Sequence, residues 1–114
     1  MRDDRARLLD ILEALDKIEK YASKGERAFY EEELIQVWII YYIQVIGEAA
    51  NQLSSSFKRI RDEVPWKSVT AMRNVLVHQY FGIDLNEIWD TVSTDLPVLK
   101  AKILEILAEN QMDS

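Results

Sequence analysis

The sequence predicts an all-α protein, an antiparallel bundle of four to five helices, on three observations. Apolar residues recur at three- and four-residue spacing along most of the chain. Breakers are few: three glycines and two prolines in 114 residues leave too few turns for a sheet protein. Hydrophobic residues make up 48% and charged residues 30%, the balance of a globular chain with one modest core.

The first helix is carried by Leu8, Ile11, Leu12, Leu15, Ile18, Glu19 and Ala22. Charges lie between them, so the helix has one buried face, and it ends near Gly25. The second segment, residues 29–53, contains V-W-I-I-Y-Y-I-Q-V-I, which taken alone also suits a buried strand. Its flanks, E-E-E-L before and E-A-A-N-Q-L after, are good helix formers without a breaker, and they decide for one long helix. Because that helix is apolar around most of its middle, it must be covered on several sides. Two arrangements supply the cover. One is a homodimer interface along this helix, with Gly47 permitting close approach; the other is a central position in a monomer.

Residues 54–63 read as a short basic helix, broken by Val64-Pro65-Trp66. Pro65 suits the first turn of the next helix, 65–81, which stops at Gly82. Asp84 with Glu87 forms a capping-box-like start for the last helix. Its apolar face is Ile88, Trp89, Val92, Leu96, Leu99, Ile103, Ile106 and Leu107, and Pro97 inside it is expected to kink it. With no repeat or linker, residues 1–114 read as one helical domain.

Composition closes several routes to chemistry. Without cysteine there is no disulfide, thiolate metal site or cysteine nucleophile. A single histidine rules out an all-histidine metal cage within one protomer, and no metal or cofactor is expected. The start, M-R-D-D-R, places charges where a signal peptide needs an apolar core. The most apolar stretch, 34–46, holds two glutamines and is too short to span a membrane. The expectation is a cytoplasmic protein with no membrane partner.

The net charge of −6 argues against a nucleic-acid partner, but its distribution does not. Residues 58–78 hold Lys58, Arg59, Arg61, Lys67 and Arg73 against Asp62 and Glu63, a local +3 that leaves −9 elsewhere. Two readings stand: a solvated helix face, or a phosphate-attracting patch on an acidic body.

The run R-N-V-L-V-H-Q-Y holds the candidate chemical centre, Arg73, Asn74, His78 and Tyr80. At about 100° per residue, Val69, Met72, Leu76 and Val75 face the core. Asn74 and His78, four apart, are neighbours, so Asn74 can fix the imidazole tautomer. Arg73 and Tyr80 share another face. Arg73 and His78 sit roughly 140° apart around an ideal helix, too far to meet at one small ligand unaided. Arginine's reach, fraying near Gly82 or pairing across a dimer axis must close the gap.

These groups suit cleavage of an RNA phosphodiester. Histidine can take the proton of a ribose 2′-OH or protonate the leaving oxygen. Arginine presents a permanently charged fork to the phosphate as negative charge builds. The attacking group already lies in the substrate, so no metal is needed. One histidine per chain leaves a second acid or base to come from elsewhere, such as another protomer.

The stretch M-R-N-V-L-V-H-Q-Y-F-G-I-D resembles the signature of the HEPN superfamily, arginine followed four to six residues later by histidine. More narrowly it is similar to the HepT toxin family, whose signature is Arg-x4-His-x-Tyr. I-G-E-A-A-N-Q-L at 46–53, V-P-W-K-S-V at 64–69 and I-W-D-T-V-S-T-D-L-P-V-L at 88–99 agree in order and spacing. The resemblance implies a HEPN-like bundle that dimerises through long helices. It also implies a metal-independent ribonuclease, the toxin of a toxin–antitoxin pair, with Arg73 and His78 catalytic. The implied partner is a minimal nucleotidyltransferase antitoxin, which uses ATP to adenylylate the tyrosine matched by Tyr80. A phosphate two residues from His78 would add charge and block the substrate. Without the resemblance, Tyr80 reads as an aromatic capping the bundle end.

Glu48 and Asn51 lie in the family-like G-E-A-A-N run, three apart on one helix face. A carboxylate in apolar surroundings is costly unless paired, and Arg73 is the expected partner, in a structural or a catalytic role. Two alternatives to the ribonuclease remain: a non-catalytic helical subunit that binds a nucleotidyltransferase and presents its substrate, and a helical dimer with no enzymatic role.

Overall fold

Asp3 starts the chain's first helix by accepting the Ala6 N–H at 2.8 Å, and α1 (Asp4–Ala22) follows from that cap. Leu8, Ile11, Leu15 and Ile18 form its buried face at the expected spacing. The computed structural model describes residues 3–74 and 84–113, the side chains of 110–113 excepted. All elements within those residues are helical, as the sequence predicts.

Gly25 turns the chain out of α1 at φ +102°, a conformation that suits glycine because it has no Cβ. The long helix expected over 29–53 is divided. A short α2 (Glu26–Glu31) precedes Glu32, whose extended backbone (φ −111°, ψ 107°) opens α3 (Glu33–Asn51). Gln36 stabilises the break from inside α3, its Nε2 donating to the carbonyls of Phe29 at 2.9 Å and Tyr30 at 3.2 Å. The break also puts Glu33 in a first turn, where the helix dipole favours negative charge. It lets Phe29 turn fully inward against Trp89, ring centroids 5.2 Å apart.

Ser54 caps α4 (Ser55–Ile60) and fastens the bundle end. Its backbone N–H and hydroxyl donate to the two Asp4 carboxylate oxygens at 2.8 and 2.7 Å, joining the starts of α4 and α1. Trp66 opens α5 (Trp66–Ala71), its Nε1 donating to the Arg61 carbonyl at 2.8 Å. The helix expected over 65–81 does not stay α-helical: at Met72–Asn74 it tightens into a 3-10 turn. The remainder of that prediction, 75–83, lies outside the described residues.

Asp84 caps α6 (Leu85–Asp90) by accepting from the N–H groups of Asn86 and Glu87, the N-cap half of the predicted box. The kink expected at Pro97 takes the form of a π-helical turn, Thr91–Asp95, leading into α7 (Leu96–Asp113). Proline lacks an N–H, and its ring crowds the carbonyl four residues back. The wide turn relieves that crowding, with Leu96 donating to Thr91. The expected four to five helices thus correspond to α1, the α2–α3 pair, α4, α5 and the α6–α7 pair.

α1 runs antiparallel along α3, where Trp38 Nε1 donates to the Lys17 carbonyl at 2.7 Å. α7 returns along α1, with Lys100 between Glu19 and Asp16. α5 and the 3-10 turn close on α3 from another side. Ile35, Ile39, Ile40, Ile43, Ile46 and Ala50 of α3 are therefore buried within one chain. Much of the cover for which a second copy was invoked comes from inside; what stays open on α3 is Leu34, Val37 and Tyr41.

Candidate active site

The site begins at Gly47, buried in α3. A Cβ built there would fall 2.2 Å from the backbone nitrogen of Arg73 and 2.9 Å from its Cα. No side chain fits in that space, so the missing Cβ is what lets the 3-10 turn press onto α3. The close approach that glycine permits is thus made by Arg73 of the same chain, so Gly47 does not serve the dimer contact that was one of its two readings. The adjoining Met72 packs against the core. Arg73 is therefore fixed at its backbone while its side chain, 36% exposed, reaches outward.

Glu48 follows Gly47 directly, and its Oε2 lies 3.9 Å from an Arg73 terminal nitrogen. The sequence expected this pair and expected burial to demand it. Burial does not: the Glu48 side chain is 57% exposed, so solvation already stabilises its charge. An exposed pair this long is worth about 0–1 kcal/mol. It leaves most of the guanidinium's five donors uncommitted, an arrangement suited to a phosphate.

Asn51 stands one turn beyond Glu48, half-buried at the last position of α3. Asn74 is exposed at the end of the 3-10 turn. Over Met72–Asn74 the chain turns more tightly than 100° per residue, so the face assignments made for an ideal α-helix do not carry through Arg73 and Asn74. His78 and Tyr80, and with them the Asn74–His78 and Arg73–Tyr80 pairings, fall in 75–83, outside the described residues.

The basic stretch of 58–78 is only partly available. Arg61 is held by Glu63 and Glu109, and Lys102 donates to the Glu63 carbonyl at 2.6 Å. Arg59 and Lys67 remain exposed. Among the described residues, no group of three or more His, Cys, Asp or Glu side chains gathers to hold a metal ion. No described helix is long and apolar enough to cross a membrane.

Sequence reasoning missed a groove of about 530 Å³ between α1 and α3, whose lining includes Glu48, the ion-pair partner of Arg73. Arg7, Asp10 and Glu13 line one wall and Tyr41, Tyr42, Glu48 and Gln52 the other. Its signal was present in spacing: 7, 10 and 14 on α1 and 41, 45, 48 and 52 on α3 each recur every three or four residues. Arg7 turns its Nε inward, where it meets no acceptor among the described residues.

Residues 11–106 match the family described as ribonuclease HepT-like. The chain is 38% identical over 109 residues to a "Gamma-glutamylcyclotransferase and putative RNase" of Methanocaldococcus jannaschii. The match covers 95% of this chain but 49% of that relative, so the chain spans about half its length. Similarity to a "Probable ribonuclease HepT" of Thermococcus cleftensis is 36% over 102 residues, covering 89% of this chain and 93% of the relative. A "Putative RNase" of Methanocaldococcus jannaschii is 37% identical over 103 residues, with 90% and 94% covered. No solved structure matches.

Proposed function

The chain belongs to the ribonuclease HepT-like family, and from that membership we propose that it is a metal-independent endoribonuclease acting on transfer or messenger RNA. Arg73 and His78 are its catalytic pair. The observation that carries this reading is the seating of Arg73: a backbone clamped on Gly47 and a guanidinium directed outward beside a weakly engaged carboxylate. Such an arginine is preorganised for an incoming phosphate, and preorganised charge is what stabilises a phosphorane-like transition state.

In the proposed reaction the ribose 2′-oxygen attacks the adjacent phosphorus as its proton passes to a base. The bond to the 5′-oxygen breaks, and that oxygen is protonated as it leaves. The products are a 2′,3′-cyclic phosphate and a 5′-hydroxyl. His78 supplies one of the two proton transfers. With one histidine per chain, the other falls to a second copy, so the active unit is a homodimer with its cleft built from two copies of the 65–81 segment. Asn74 orients His78, while Glu48 and Asn51 support Arg73 from α3.

Family resemblance supports a regulatory layer on the same site. A minimal nucleotidyltransferase antitoxin transfers an adenylyl group from ATP to the Tyr80 hydroxyl and releases pyrophosphate. The added phosphate repels the substrate and silences a cytoplasmic toxin. ATP serves the partner, and this chain, one HEPN-like domain over 1–114, needs no cofactor of its own.

The test is incubation of the purified chain with total or transfer RNA in the presence of a chelator. Fragments ending in 2′,3′-cyclic phosphate are expected. RNA that stays intact would remove the ribonuclease reading and favour a subunit that presents substrate to the nucleotidyltransferase.

A further inference from the structure

The face shared by α1 and α3 carries more than the Arg73–Glu48 pair. Four rings stand in file across it: Tyr21 and Trp38 with centroids 5.0 Å apart, Trp38 and Tyr42 at 5.1 Å, Tyr42 and Tyr41 at 4.9 Å. Tyr41 is the outermost, 55% exposed. Beside this file run Lys17, Lys20 and Lys24, spaced three and four apart. Lys20 Nζ lies 5.7 Å from the Tyr21 ring centroid and 6.0 Å from that of Trp38, and Lys24 Nζ 5.4 Å from Tyr21. None of the three lysines joins an ion pair among the described residues.

Two grooves meet on this face and share Tyr41 and Tyr42. The one already described runs past Glu48 to Gln52, and the other, about 580 Å³, continues past Trp38 and Tyr21 to Lys24 and Leu34. At the helical rise of 1.5 Å per residue, the furrow from Gln52 to Leu34 is about 27 Å long. That is room for several nucleotides, and Glu48, the ion-pair partner of Arg73, lies on its wall near one end.

An aromatic file alone would suit a protein partner, and a lysine row alone would suit any anion. Rings with unpaired cations set over and beside them are the pair of features with which proteins hold single strands, bases stacked and backbone neutralised. Around Glu48 the walls turn acidic with Glu13 and Glu48, where base amino groups rather than phosphates find acceptors.

We propose that this furrow is the track for single-stranded RNA flanking the cleaved bond, with phosphates along Lys17, Lys20 and Lys24 and a base stacked on Tyr41. The proposal rests on the ribonuclease reading of the Arg73 site, but it is tested by binding rather than by cleavage.

The probe is a labelled single-stranded oligoribonucleotide of about twelve residues, titrated by fluorescence anisotropy against the full chain carrying Arg73→Ala, which keeps the RNA intact. Adding Tyr41→Ala is expected to weaken binding about tenfold, the loss of one stacked base. The triple change Lys17→Gln, Lys20→Gln, Lys24→Gln is expected to flatten the slope of log affinity against log salt by about two. Both variants should keep the parent's melting temperature and its mass by light scattering. Affinity and slope equal to the parent's would overturn the track, even if the unmodified chain cleaves RNA. A fall from dimer to monomer in Tyr41→Ala would overturn it too, assigning the stripe to self-association. If these losses appear while the unmodified chain cleaves nothing, the track stands as a binding groove and the ribonuclease reading is what fails.

Discussion

The backbone of Arg73 rests on the bare Cα of Gly47, so closely that a methyl group would fall 2.2 Å from its nitrogen. The neighbour is main chain, which cannot swing aside as a side-chain tip could. Gly47→Ala is therefore expected to destabilise by about 1–3 kcal/mol, as overpacked cores do, and to displace Arg73. A thermal melt should fall by several degrees, with RNA cleavage lost even well below the new midpoint. A variant that melts and cleaves like its parent would show that the contact does not hold the site.

Glu48 pairs with Arg73 at 3.9 Å, and the proposed site gives it the task of aiming the guanidinium rather than anchoring the fold. The pair is long and exposed, so Glu48→Ala should move stability by no more than about 0.5 kcal/mol. Cleavage should suffer more, by up to about tenfold in kcat/KM, because a loosened guanidinium is misplaced against the phosphate. Glu48→Asp should recover part of the loss. Steady-state kinetics beside a urea melt separates these effects, and equal losses in both would make Glu48 a merely structural residue.

Phe29 shows what the division of the long helix achieves. It is fully buried, with its ring packed on those of Tyr30 and Trp89 across α2 and α6. Phe29→Ala should cost about 3–5 kcal/mol, a large share of the 5–15 kcal/mol typical of a whole domain. In urea the midpoint should drop with an unchanged m value; a shift below about 1 kcal/mol would mean that α2 contributes little to the core.

How much of this was legible in the sequence depended on distance along the chain. α1, the Asp84 cap and the apolar face of the last helix follow from residues three or four apart, and they stand as read; the Ser54 cap was not read from the sequence. The break at Glu32 was not legible, because it depends on where the Gln36 amide finds acceptors once α3 has formed. Gly47 was noticed as a point of close approach, but its partner lies in a distant turn, and only packing reveals it. The pairing of Glu48 with Arg73 was foreseen from chemistry, whereas its exposure was not, since an apolar helix gives no sign of which face it turns to water.

Lys100 couples α7 to α1 and makes stability depend on pH at the alkaline end. Hydrogen bonds to Glu19, opposed by desolvation and joined by Asp16, hold its pKa above the ordinary value of 10.5. A raised pKa means that the folded state binds this proton more tightly than the unfolded one. Its contribution is therefore complete below about pH 10.5 and is lost as pH rises through the folded value. Lys100→Met should lower stability by about 1 kcal/mol or less at neutral pH. It should also remove that part of the alkaline decline, and parallel pH–stability curves for parent and variant would contradict the assignment.

Rates of single-site cleavage test most directly whether Arg73 and His78 act together on RNA. The parent, Arg73→Ala and His78→Ala are compared on one labelled RNA substrate with chelator present, each first shown to melt as a folded protein. Losing the arginine should slow cleavage about 10²–10³-fold, and losing the histidine about 10²–10⁴-fold. The double variant should be little worse than the poorer single one, as for groups that act as a unit. Cleavage that continues at the parental rate in both single variants would place the chemistry elsewhere on the chain and contradict the account.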